Sequence, residues 1–367
     1  MIECNSQLSN HTKEQIMKKI NAVLGVSALC VSLYAQTPAE LIKKAKDSGL
    51  QPLPSGKELK DYQMQKIKEG KIAEGYAAKL TPAQIELGKK LYFDPRISKS
   101  NLISCNTCHN LGLAGVDLVP AAIGDRWQPN PSHLNSPTVY NSMFNDVQFW
   151  DGRSHDLGDQ AKGPMENPVE MANKAANIVE RITSIPAYVD EFKAAYGNNV
   201  KIDFKLIADT IALFEMTLNT PSRYDDFLNG NVKALSKEEQ EGLNVFIDSG
   251  CTACHTGINL GGSMQAFAVV KPYKFAQVGG FKGDANGMVK VPTLRNVMET
   301  MPYFHNGQYW DIKDAIKEMG DIQLGQEISD KDAQKMETFF KALTGKYPTI
   351  TYPILPASTN KTPKPVL

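Results

Sequence analysis

Two copies of one short motif decide most of what this chain can fold around. "SCNTCHN" at 104–110 puts Cys105 and Cys108 two residues apart with His109 directly after, and "GCTACHT" at 250–256 repeats the arrangement with Cys251, Cys254 and His255. Cys-x-x-Cys-His is the spacing of covalently attached c-type haem. Each thiol forms a thioether to one vinyl group of the porphyrin, the two intervening residues let both sulfurs reach one edge of the ring, and the adjacent imidazole is carried under the iron as proximal ligand. A zinc site would want four ligands, usually from two such pairs close together, whereas these pairs lie 146 residues apart (251 minus 105). A thioredoxin-like thiol pair needs no histidine and sits in a βαβ context.

The remaining cysteines do not compete with this reading. There are six in 367 residues, and the two outside the motifs, Cys4 and Cys30, fall in the first 35 positions. From Met17 the chain reads "MKKINAVLGVSALCVSLYAQTPAE": two lysines, then a short, mostly apolar run over 22–35 that ends in a small residue. That is the shape of a secretory signal peptide. The run is too short to span a bilayer comfortably, and Cys30 fits a lipoprotein cleavage site poorly. Residues 1–35 are therefore expected to be an upstream extension and leader, with Met17 an alternative start, and the protein to be exported to the periplasm. Formal net charge is zero and no Lys/Arg block occurs, so a nucleic-acid partner or an anionic membrane surface has no electrostatic footprint.

A second haem follows from an internal repeat. "TPAQIELGKKLYFD" precedes the first motif and "SKEEQEGLNVFID" the second. Both open like capped helices, Thr81 with Pro82 and Gln84, Ser236 with Glu239. Downstream, "PTVYN" leads to Gly152 and "PTLRN" to Gly307, each over 15 residues from its proline (152 minus 137, 307 minus 292). Apolar residues at helical spacing mark further helices over 203–218 and over 329–343, the latter with Ser329 as cap and Gly345 as stop. Strand-like alternation is scarce. The expectation is a mainly α chain of two tandem cytochrome c-like haem domains with long connecting loops, at 36–220 and 221–350, joined around "NTPSRYDDFLNGN" and followed by an extended tail, 351–367.

Between the motifs, the stretch "NSPTVYNSMFNDVQFWDGRSHDLGDQAKGPMENPVEM" is richer in functional side chains than a covering loop requires. From about Leu80 onward the chain resembles the bacterial di-haem cytochrome c peroxidases. The likeness rests on "YFDPRISKSNLISCNTCHNLGLAGVD", "NSPTVYN", "QFWDGR", "QAKGP", "VEM", "GCTACHTGINLGG", "PYFHNG" and "MGDIQLG". It implies that the haem on His109 cleaves hydrogen peroxide. It also implies that the haem on His255 receives electrons from a small cytochrome c or similar donor. Glu170 matches the acid–base residue, Gln160 its distal neighbour, Trp150 the aromatic between the haems, and Met319 the axial ligand of the C-terminal haem. Asn135, Thr300 and Pro302 match a calcium site at the domain interface, the last two through backbone carbonyls. A homodimer is the family's usual state.

Each residue alone has a blander reading: Met319 as core, Trp150 as packing, Glu170 as a surface charge, Asn135 as a turn residue. Only the joint match lifts them. Asp94, before Pro95, reads as a turn residue, and His133 and His155 as loop histidines. A two-haem electron carrier is the alternative from another class. Relatives that oxidise side chains of a partner protein carry tyrosine at the position of Met319. One departure stands out. Many family members cap the resting peroxide haem with a histidine at the position that here is Asp125. Either the N-terminal haem is then open at rest, which we expect, or His133 substitutes.

Overall fold

The computed structural model describes residues 36–367, so the expected leader, with Cys4, Met17 and Cys30, lies outside the described residues. Among the described residues no helix is long and apolar enough to cross a membrane. The chain is helical with long loops. The helices are α1 (Pro38–Asp47), α2 (Gly56–Glu69), α3 (Pro82–Phe93), α4 (Leu157–Glu166), α5 (Ala175–Thr183), α6 (Pro186–Tyr196), α7 (Phe204–Glu215), α8 (Arg223–Leu228), α9 (Lys237–Asp248), α10 (Ile312–Met319) and α11 (Asp330–Lys341). One two-stranded antiparallel ribbon, β1 (Met264–Ala266) with β2 (Met288–Lys290), pairs Gln265 with Val289.

The caps read from sequence are formed. Thr81 and Gln84 make a reciprocal capping box at α3, Ser236 and Glu239 make one at α9, and the Ser329 hydroxyl accepts from the Asp332 amide at 3.1 Å. Each box satisfies amides that the first helical turn leaves without partners.

The repeat is also a repeat of packing. In the N-terminal half α3 crosses α7, and in the C-terminal half α9 crosses α11. Both crossings are closed by a glycine. A Cβ on Gly88 would stand 2.1 Å from the Thr210 carbonyl oxygen and 2.9 Å from Phe214 Cβ, and one on Gly242 would stand 2.1 Å from the Lys335 carbonyl oxygen and 2.8 Å from Phe339 Cβ. Only a residue without a side chain lets the backbones approach this closely.

The two cores do not follow the expected boundaries. Helix α1 packs Leu41 and Ala45, and the turn after it Leu50, into the C-terminal core with Phe246, Phe339 and Leu343, and Lys44 reaches Asp248 at 2.5 Å. The segment beginning at residue 36 thus belongs by packing to the C-terminal half. Conversely, the C-terminal tail crosses to the N-terminal half. Arg96 donates to the Pro356 carbonyl at 2.7 Å, Arg181 to that of Lys364 at 3.0 Å, and the Val366 amide to that of Lys99 at 3.1 Å. These exchanged ends could not be read from local pattern, because a short amphipathic helix carries no address for its partner. Asp94 is more than a turn residue: fully buried, it pairs with Arg96 at 2.6 Å and accepts from the Tyr188 hydroxyl at 2.6 Å.

Candidate haem sites and the junction between them

In the N-terminal half, Cys105 and Cys108 begin and end a one-turn helix, with His109 as its C-cap. His109 Nδ1 donates to the Pro137 carbonyl oxygen at 2.9 Å. That bond fixes the tautomer and leaves Nε2 for a metal. Burial lowers the His109 pKa, keeping the imidazole in the neutral form that ligates, and raises the Cys108 thiol to about 12. All four motif cysteines are free thiols. The C-terminal half repeats the arrangement: His255 Nδ1 donates to the Leu260 carbonyl at 2.8 Å. A cavity adjoins each motif. Two free thiols, one pre-oriented imidazole and a cavity at each site fit a covalent haem.

The N-terminal cavity is lined by Phe149, Trp150, Arg153, Gln160, Pro164 and Glu170. Asn167 Nδ2 donates to Glu170 Oε1 at 2.7 Å. Burial raises the Glu170 pKa above the usual carboxylate value, and the Asn167 bond and the Arg153 charge oppose it. Arg153 lies 3.5 Å from the Phe149 ring centroid and pairs with Asp151 at 2.8 Å. Glu215, at the end of α7, also lines this cavity. Burial pushes its pKa to about 8, and it faces Cys105 and Tyr92.

The C-terminal cavity brings Met319, at the end of α10, together with Cys251, Cys254 and His255. The other nearby methionines, Met288, Met298 and Met301, are not among its walls; Met336 is, but it is packed into the core at 1% exposure. His305 also lines this cavity. It is buried, its Nε2 has no hydrogen-bond partner, and desolvation lowers its pKa to about 4.

An offset of 155 residues (292 minus 137) relates the walls of the two cavities. It carries Asn141 to Asn296, both in left-handed conformation, and the start of α4 at Leu157 to that of α10 at Ile312. It places Trp150 opposite His305, and the two rings meet edge to face at 6.3 Å between centroids. It places Asn135 opposite Lys290. The Asn135 amide donates to the His305 carbonyl at 2.8 Å, and the Lys290 amide to the Trp150 carbonyl at 2.8 Å. Most consequentially, it places Pro164 opposite Met319 and Gln160 opposite Ala315, and each lines its own cavity. Where one half offers a thioether, the other offers a ring that cannot ligate.

Trp150 lines both cavities and donates from Nε1 to the Asn135 carbonyl at 2.9 Å. Asn135, Thr300 and Pro302 line the same cavity. Asn135 Nδ2 donates to the Val119 carbonyl at 2.9 Å, which leaves Oδ1 for another partner. Asp125 is not among the residues that line the N-terminal cavity. It is buried and accepts from the Ser100 amide and hydroxyl, while its own amide donates to the Glu170 carbonyl at 2.5 Å. His133 stands 3.4 Å from Gln308 and His155 is exposed. Among the described residues, His109 is the only histidine lining the N-terminal cavity.

Three residues escaped the motif reading. His305 and Lys290 were within reach, since the repeat register puts them opposite Trp150 and Asn135. Glu215 carried a fainter mark, a carboxylate closing the apolar run "IALFE".

A family profile described as di-haem cytochrome c peroxidase matches residues 82–233, and one described as cytochrome c matches 239–344. The chain is 46% identical over 300 residues to the cytochrome c551 peroxidase of Pseudomonas aeruginosa, covering 78% of this chain and 86% of that protein. It is 45% identical over 287 residues to the cytochrome c551 peroxidase of Nitrosomonas europaea, covering 76% and 85%. Among solved structures, a MauG-like protein associated with microbial copper homeostasis superposes with a TM-score of 0.63 at 22% identity, over 72% of this chain and 90% of that one. At that identity the likeness speaks for the fold alone.

Proposed function

The chain belongs to the bacterial di-haem cytochrome c peroxidase family and is a cytochrome-c peroxidase carrying two c-type haems, and from that premise we propose that it reduces hydrogen peroxide to water at the haem on His109, with electrons received at the haem on His255. The observation that carries this division of labour is the exchange of Pro164 for Met319 at one register position. A methionine ligand raises a haem's potential, which suits electron entry. A proline leaves the corresponding side open to substrate.

Bound haem supplies the iron and the redox chemistry. The chain's own residues handle the proton and the geometry. Glu170, ionised, would take a proton from one oxygen of hydrogen peroxide and return it to the other, so that water leaves as the O–O bond breaks. Two electrons and two protons complete the conversion of one peroxide to two waters. Gln160 and Arg153 present polar groups to the same space and orient the substrate. Trp150, lining both cavities, lies in the path of the electron between them.

The finer parts of the reading follow the family. The donor is a small cytochrome c or similar protein, the compartment is the periplasm, and the assembly is a homodimer. Asn135 Oδ1 and the carbonyls of Thr300 and Pro302 would hold a calcium ion, a cation that takes oxygen ligands of this kind. The deciding experiment mixes protein reduced at the C-terminal haem with peroxide and follows reoxidation and steady-state turnover with a reduced small cytochrome. Turnover that Glu170→Gln suppresses supports the reading. Absence of turnover in the wild type, with both haems present, would leave the two-haem electron carrier.

A further inference from the structure

Lys290, the last residue of β2, takes no part in the machinery described above. Its side chain is buried, with 4% of the residue exposed, and it lines both haem cavities. Among the described residues its Nζ makes no hydrogen bond and no ion pair. The one charge acting on it is the Asp151 carboxylate, which is already paired with Arg153 at 2.8 Å. Burial lowers its pKa to about 8, so that at neutral pH it remains mostly protonated.

An ammonium taken out of water without an anion is strongly disfavoured. The lysine backbone is held at the junction of the two halves by the bond to the Trp150 carbonyl at 2.8 Å, and the side chain lies between the two cavities rather than at the surface. The missing anion must therefore come from what fills the cavities. Haem carries only two anionic groups, its propionates. The Lys290 charge also acts on the His109 imidazole, which brings the N-terminal site within its reach.

We propose that the Lys290 ammonium is the counter-charge for a propionate of the haem carried on His109, fixing that haem's carboxylate edge at the domain junction beside Trp150. The inference rests on the di-haem reading. Lys290 is a positioning residue: it holds no reacting atom, but it sets where the ring edge sits relative to Trp150. It also offsets negative charge beside the iron. Removing that positive charge favours the ferric over the ferrous state, so the potential of this haem falls.

The test uses the holoprotein. Haem content is measured first from the pyridine haemochrome spectrum; a wild-type protein without two haems per chain would overturn the di-haem reading itself. Wild type, Lys290→Met and Lys290→Arg are then compared by spectroelectrochemical titration and resonance Raman scattering. In Lys290→Met the midpoint of the His109 haem should move down and the propionate bending band should shift, while Lys290→Arg stays near the wild type. Selective loss of the His109 haem from Lys290→Met, restored in Lys290→Arg, would support the same contact. A Lys290→Met protein with two haems and with the potential and propionate band unmoved overturns the proposal, as does a shift confined to the His255 haem. If Lys290→Met does not fold, Lys290→Gln is read by the same criteria.

Discussion

The two carboxyls of the N-terminal cavity can be told apart by pH. On the proposed mechanism Glu170 must be ionised to accept a proton from peroxide, and burial holds its pKa above the usual value. The pH profile of kcat/KM should therefore fall on the acid side, with a midpoint above the ordinary glutamate range near ~4.3. Asn167 donates to the carboxylate at 2.7 Å. A hydrogen bond to a charged group contributes about 1.5–3 kcal/mol, and one pKa unit corresponds to about 1.36 kcal/mol. Losing that bond in Asn167→Ala should thus move the acid limb upward by about 1–2 pH units on those scales, with the alkaline plateau little changed. Glu170→Gln should cost about 10²–10⁴-fold, the usual share of a general acid–base group, and should abolish the limb. Glu215→Gln should cost less than about tenfold by the same scale; the Glu215 charge acts on Cys105 and Tyr92, beside the attachment motif, and only a pH dependence near 8 should disappear. Peroxide turnover across pH with a reduced small cytochrome reads all three. A full-strength Glu170→Gln enzyme, or a Glu215→Gln enzyme that loses activity in its place, would refute the assignment.

Met319→His should lower the potential of the C-terminal haem, since imidazole replaces a weaker thioether donor. An unmoved potential, together with a changed spectrum in His305→Ala, would make His305 the ligand. Gly88→Ala should destabilise the N-terminal half by about 1–3 kcal/mol through overpacking, more than the ~1 kcal/mol of helix propensity it gains, and Gly242→Ala should do the same in the C-terminal half; thermal unfolding of each variant reads the effect. The oxidised protein as isolated should show a high-spin ferric component and react with peroxide without prior reduction, because Asp125 is bound to Ser100 and His133 lies outside the cavity. Asp125→His, which also releases the Ser100 tie, should convert that component to low spin and make reaction depend on prior reduction. A low-spin wild-type spectrum lost in His133→Ala would contradict this.

Much of the site was legible because it repeats. The two attachment motifs, the capped helices before them and the proline-to-glycine intervals after them are local patterns, and the structure returns them as paired crossings at Gly88 and Gly242. The exchanged ends were not legible. Leu41 and Ala45 form an apolar face that fits either core, and the tail from 351 onward is held mainly by carbonyls, which every sequence possesses. Lys290 was hidden for a different reason: buried charge has no periodicity, and its partner is not part of the chain.

The repeat also accounts for how one frame supports two unlike sites. Equivalent positions on the same helix and loop carry Pro164 and Met319, Gln160 and Ala315, Trp150 and His305, and Asn135 and Lys290. On the proposed reading the first two pairs set the irons' surroundings, a thioether closing one site while the other stays open and polar. The second two meet at the junction, where each half's backbone amide binds the other's aromatic residue at 2.8 Å. That reciprocal tie makes the distance between the cavities a property of the fold rather than of a mobile hinge. Because both ties are main-chain bonds, substitutions at Asn135 or Lys290 are expected to leave that spacing in place and to act through the lost side chain, as one at Pro164 or Met319 should act on a single haem.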